Sequence, residues 1–127
     1  MRLWHYKLIE VLPNQMLVSQ WRECIAIKRQ WEKGTLTHRL ANYVLKYDKI
    51  YFLEYVREIC SEMKERNINY NDKYYLEIVK FADLDRFNNN DIYPILHYPE
   101  HNEIYLKQCY YNLQEKFHRR YNITRRI

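Results

Sequence analysis

Four polar side chains, Gln15, Ser19, Arg22 and Glu23, lie within one to two turns of one another if the segment that carries them is helical. They line one polar side of that segment, with the Glu23 carboxylate next in sequence to the Arg22 guanidinium. Spacing alone favours a solvated helix face, on which an exposed Arg and Glu contribute little. Other chemistry has less support. His38, His97 and His101 suggest a metal, but the four-residue step across Pro99 is not a helical pair and no third ligand accompanies it, so no metal site and no cofactor is expected. Cys24, Cys60 and Cys109 are odd in number and include no CxxC pair, which leaves each to be read as a small buried apolar residue.

The element that must position the four polar residues runs from Pro13 to Lys33. Leu17, Trp21, Cys24, Ile25 and Trp31 take one side of its helical wheel, and Gln15, Ser19, Arg22, Glu23 and Gln30 take the other. Pro13 suits the first turn, Asn14 can cap it, and Gly34 stops it. His38–Lys46 reads as a short helix leading into a turn at Tyr47–Asp48. A long helix follows over Lys49–Arg66, with Phe52, Val56, Ile59 and Met63 spaced by four, three and four. Asn67–Asn69 ends it, and a short helix over Asp72–Phe81 begins with Asn71 or Asp72 as cap. Ala82–Glu100, rich in Asp, Asn and Pro, predicts a long surface loop, and Asn102–Arg119 a last helix before a basic tail. Together these predict an all-α fold: a single compact domain over residues 1–127, with three main helices, short helices and one long irregular loop.

Composition agrees. One Gly and three Pro among 127 residues are too few turn-makers for a many-stranded sandwich or barrel, and they exclude a glycine-rich phosphate loop. No apolar run reaches the roughly 20 residues of a membrane span, so a cytoplasmic protein without a membrane partner is expected, working as a monomer. The net charge of +5 conceals a division: residues 1–46 carry +5, residues 47–115 carry −5 and residues 116–127 carry +5. If the two basic ends meet, they form a positive surface that attracts a polyanion. The 14 Tyr are expected to pack their rings in the core and keep their hydroxyls wet.

The segment Leu12-Pro13-Asn14-Gln15-Met16-Leu17-Val18-Ser19-Gln20-Trp21-Arg22-Glu23 resembles the first helix of the pyrimidine-dimer DNA glycosylase and AP-lyase family. The family pattern there is a Gln, a Leu two residues later, then an aromatic-Arg-Glu triplet. The start Met1-Arg2-Leu3-Trp4 and the stretch Tyr47-Asp48-Lys49 with Phe52-Leu53 are similar to the same family in the same order. The resemblance implies a helical, metal-independent enzyme acting on double-stranded DNA at damaged or abasic sites. Its nucleophile would be the α-amine of the first residue, here Met1, because a bulky Arg2 prevents removal of the initiator. An α-amine has a pKa of about 7.7–8.0, so a share of it is neutral at cellular pH. It attacks the anomeric carbon, expels the base and leaves an imine, from which β-elimination breaks the strand. The resemblance assigns Glu23 to stabilise the cationic sugar and move protons, Arg2 and Arg22 to phosphates, and Gln15 to the DNA around the lesion.

Two positions depart from the family pattern. Where phage members have a His after the Gln and an Arg three residues after the Glu, this chain has Met16 and Ala26. Arg29 is the candidate to replace the missing cation. The departures motivate an alternative, a non-catalytic nucleic-acid-binding helical module that keeps the fold and its positive face.

Overall fold

The computed structural model describes residues 2–82 and 96–121, with the side chains of 117–121 not among those described. It is helical: a 3-10 turn at Tyr6–Val11, α1 at Asn14–Lys33, a second 3-10 turn at Asn42–Lys46, α2 at Lys49–Glu65, α3 at Asp72–Phe81 and α4 at Glu103–Tyr121. Among the described residues four α-helices stand where three long and two short ones are expected, α3 being one of the short ones. The first 3-10 turn was not anticipated. The expected helix before Tyr47 contracts to a single turn at Asn42–Lys46.

Local chemistry accounts for most boundaries. Asp48 caps α2 by accepting from the Ile50 N–H at 3.0 Å, and Asn71 caps α3 by accepting from Lys73 N–H at 2.9 Å. Gly34 ends α1 in the left-handed region, φ 70°, with the Thr35 and Gly34 N–H groups returned to the Gln30 and Trp31 carbonyls. Asn67, φ 57°, ends α2 in the same way. The start of α1 differs from expectation. Pro13 is itself the N-cap, Asn14 is the first helical residue, and no side chain caps the end. Instead Arg66, just past α2, spreads its guanidinium over the Ile9, Glu10 and Leu12 carbonyls and the Asn14 side chain. That fork ties the first 3-10 turn to the end of α2 and takes up the Asn14 oxygen that a cap would have used.

The core lies between α1 and α2. Leu17, Trp21, Cys24 and Ile27 of α1 meet Phe52, Leu53, Val56, Ile59 and Met63 of α2, all buried. Trp31 stacks edge-on against Phe52 and Phe81, which draws α3 onto the pair. The three cysteines are free and buried, as expected. α4 packs across the N-terminal segment, with Cys109 fully buried.

Two expectations fail here. Of the expected loop, residues 83–95 lie outside the described residues. Its continuation is not all surface: Tyr98 and, just beyond, His101 are buried. Nor do all tyrosines keep wet hydroxyls. Tyr43 and Tyr55 turn theirs inward to hydrogen-bond partners, His101 and the Trp4 carbonyl. A tyrosine hydroxyl is tolerated in a core when a polar partner meets it, and the N-terminal backbone and the histidines supply partners.

Candidate functional site

The N-terminal segment crosses α1, and three successive carbonyls of it are each held by a different helix. Arg2 C=O accepts from Gln20 Nε2 of α1 at 2.9 Å, Leu3 C=O from the Tyr105 hydroxyl of α4, and Trp4 C=O from the Tyr55 hydroxyl of α2 at 2.6 Å. The Trp4 N–H donates to Gln20 Oε1 at 2.8 Å. Leu3 and Trp4 anchor the segment by burying their side chains in the core. An extended segment lacks internal hydrogen bonds, so side chains from its neighbours must satisfy it, and here they fix its path.

This anchoring brings Arg2 and Glu23 together. The same Gln20 Nε2 that donates to Arg2 C=O donates to Glu23 Oε2 at 3.1 Å. Glu23 is half-buried at the edge of the core rather than enclosed by it, and among the described residues its Oε1 accepts no hydrogen bond. The Arg2 guanidinium lies over the Trp4 indole, 5.2 Å from the ring centroid. Lys116 Nζ, from α4, lies 5.4 Å from that centroid. The first residue of the basic C-terminal stretch thus converges on the basic N-terminus. Arg119, Arg120, Arg125 and Arg126 lie outside the residues whose side chains are described, as does Met1.

One turn of the wheel away, Gln15, Ser19 and Arg22 are exposed and line an open depression of about 480 Å³ with Asn14, Val18 and Ile68. The sequence-assigned residues thus form two adjoining stripes of α1. Gln15 and Arg22 face the depression, and Glu23 turns toward the chain start. Arg29 stands two turns beyond Arg22, exposed, with its guanidinium 5.3 Å from the ring of Tyr74 on α3. It joins neither group. Lys28 is buried and paired with Glu32 at 2.7 Å. Met16 is half-buried against the core, so the position occupied by His in phage members is here an apolar contact.

The residue the sequence reading missed is Gln20. Its signal was its place on the wheel. It falls with Met16, Cys24 and Ile27, inside the apolar sector, where an amide needs internal partners. Tyr55, Tyr105 and Lys116 carry no such local mark, because their roles depend on helices distant in sequence.

The family model for pyrimidine dimer DNA glycosylase matches residues 1–76. The chain belongs to the pyrimidine dimer DNA glycosylase family. No curated protein and no solved structure matches the chain. The matched residues include Arg2, Gln15, Gln20, Arg22, Glu23 and Tyr55 and end within α3, so α4 lies beyond them. For a member of this family DNA is the substrate, which accords with basic side chains gathered around the chain start. Among the described residues no helix is long and apolar enough to cross a membrane, and no group of three or more His, Cys, Asp or Glu is placed to hold a metal.

Proposed function

We propose that the protein is a cytoplasmic DNA glycosylase with AP-lyase activity, acting as a monomer on pyrimidine dimers or abasic sites in duplex DNA, without metal or cofactor. The observation that carries this reading is the single amide nitrogen shared by the Arg2 carbonyl and the Glu23 carboxylate, which ties the start of the chain beside the acid. The α-amine of Met1, one residue upstream of Arg2, is the nucleophile. Attack on the anomeric carbon forms a C–N bond as the C–N bond to the base breaks, and the departing base takes a proton. At a damaged nucleotide the bond from that carbon to the ring oxygen then breaks, the ring oxygen takes a proton and the imine results; at an abasic site the amine instead adds to the sugar aldehyde and water leaves. Removal of a proton from the adjacent carbon then expels the 3′ phosphate.

Glu23 stabilises positive charge on the sugar and carries protons during imine rearrangement and elimination. Arg2 and Arg22 hold phosphates flanking the lesion, since guanidinium stays charged and grips phosphate oxygens two at a time. Gln15, in the depression with Arg22, contacts DNA near the lesion, and Arg29 adds a more distant backbone contact. Damaged or abasic pairs are the easier ones to kink and unstack, which gives lesion selectivity a physical source.

Incubating untagged protein with abasic or irradiated duplex and borohydride is expected to trap a covalent protein–DNA adduct. Mass analysis of the adduct should place it on the intact amine of Met1. A residue appended before Met1 should abolish trapping. Salt-sensitive DNA binding with no adduct would instead select the non-catalytic module.

A further inference from the structure

The geometry points to Gln20 as a positioning residue that holds the start of the chain in register with Glu23, a role that rests on the imine reading above. Gln20 is 1% exposed. An amide left unsatisfied at such depth is costly, yet here both ends are engaged. Oε1 accepts from the Trp4 N–H at 2.8 Å and shares the Tyr55 hydroxyl, 3.1 Å away, with the Trp4 carbonyl. Nε2 donates one hydrogen to Arg2 C=O and the other to Glu23 Oε2.

The bonds on the two ends have different consequences. Those to Oε1 leave the amide one orientation. Turned over, it would set N–H groups against the Trp4 N–H and a carbonyl against both the Arg2 carbonyl and the Glu23 carboxylate. With Oε1 locked, Nε2 becomes a fixed bridge between main chain and acid. Apolar packing alone can bury Leu3 and Trp4, but it does not set the distance from a backbone carbonyl to a carboxylate. A two-hydrogen donor between two acceptors does. Neither a carboxylate nor an apolar side chain of the same length can replace it, because one has no hydrogen to give at neutral pH and the other has none at all.

The test compares Gln20→Glu and Gln20→Met with wild type in single-turnover borohydride trapping on an abasic duplex, with the duplex Kd measured alongside. Both variants are expected to trap adduct about 100-fold more slowly, the cost of misplacing reacting groups by about 1 Å, with Kd nearly unchanged. The Gln20→Glu deficit relative to wild type should shrink as pH falls, because a proton shared by the two carboxyls restores a donor to Glu23, while the Gln20→Met deficit should not. Ile59→Ala, a core truncation in α2, should lower thermal stability yet keep the wild-type rate per folded molecule. A wild-type rate in Gln20→Glu, or losses in both variants that only track stability, would overturn the role and leave the imine reading intact. A wild type that traps nothing would overturn both. Should neither variant fold, Tyr55→Phe, which frees Oε1 of one donor, is expected to slow trapping several-fold at unchanged Kd, and an unchanged rate would overturn the role.

Discussion

Two polar clusters flank the N-terminal segment, and they are built to opposite ends. Residues 2–4 run to the α1 edge, where Gln20 links Arg2 to Glu23. Residues 5 and 6 run into a nest of rings in which His5, Tyr43 and His101 are buried and Tyr6 and His97 half-buried. There His101 Nδ1 accepts from the Tyr6 N–H at 3.2 Å, which assigns the ring hydrogen to Nε2, 2.7 Å from the Tyr43 hydroxyl. His5 Nδ1 accepts from the Lys7 N–H, and its ring stacks on Tyr6 and His101. Tyr6 in turn lies flat against His97 at 3.5 Å, and His97 reaches Glu58 at 2.7 Å. Burial pushes the His101 pKa down to about 3 and lowers that of His5. In this nest His101 has both ring nitrogens engaged inside the fold, whereas the α1 edge keeps a half-buried carboxylate oxygen and exposed cations facing outward. Incomplete satisfaction at a surface leaves capacity for a substrate.

The sharpest way to break this contrast is Glu23→Gln. Removing the carboxylate proposed to carry protons, while keeping its shape, should lower cleavage of abasic duplex by about 10²–10⁴-fold with damaged-DNA binding retained. Equal cleavage would remove Glu23 from the mechanism. His101→Phe should do the reverse. Leaving the Tyr6 N–H and the Tyr43 hydroxyl without their partner should cost about 3 kcal/mol of stability by denaturant titration, with cleavage per folded molecule unchanged.

Acid should find the same nest. His101 and His5 bind fewer protons folded than unfolded, so their contribution is complete above the unfolded value near 6.5 and declines as pH falls. For His101 the decline runs from there to about 3, at close to 1.4 kcal/mol per pH unit in mid-range. Thermal unfolding between pH 7 and 4 should show this slope, and His101→Phe should flatten it. The smallest effects belong to the outward cations. Arg22→Ala and Lys116→Ala should each weaken DNA binding and reduce the slope of log affinity against log salt by about 0.9, the release of one counterion. A Lys116→Ala slope equal to wild type would separate α4 from the DNA surface.

Much of the fold was legible because its signals are local. The spacing of Phe52, Val56, Ile59 and Met63, the Asp48 and Asn71 caps and the Gly34 stop each act within a few residues, and each does what its chemistry dictates. The start of α1 was misread because Asn14, read as a cap, instead turns its side-chain oxygen to accept from Arg66, beyond the end of α2. The inward tyrosines were misread because ring packing was visible and the hidden polar partner was not.

By itself, then, the sequence determined the helical periodicity, the stops, the alternation of basic and acidic stretches, and the α1 pattern by which the family is recognised. Tertiary structure alone decided that Gln20 meets Trp4 and Arg2 across 16 and 18 positions, that His101 meets Tyr43 across 58, and that Tyr105 meets Leu3 across 102. The physical reason is the range of the forces. Propensity and capping are settled by a residue and its near neighbours. A buried hydrogen bond needs a donor and an acceptor delivered to one point by separate helices, and only the packing of the whole chain makes that delivery.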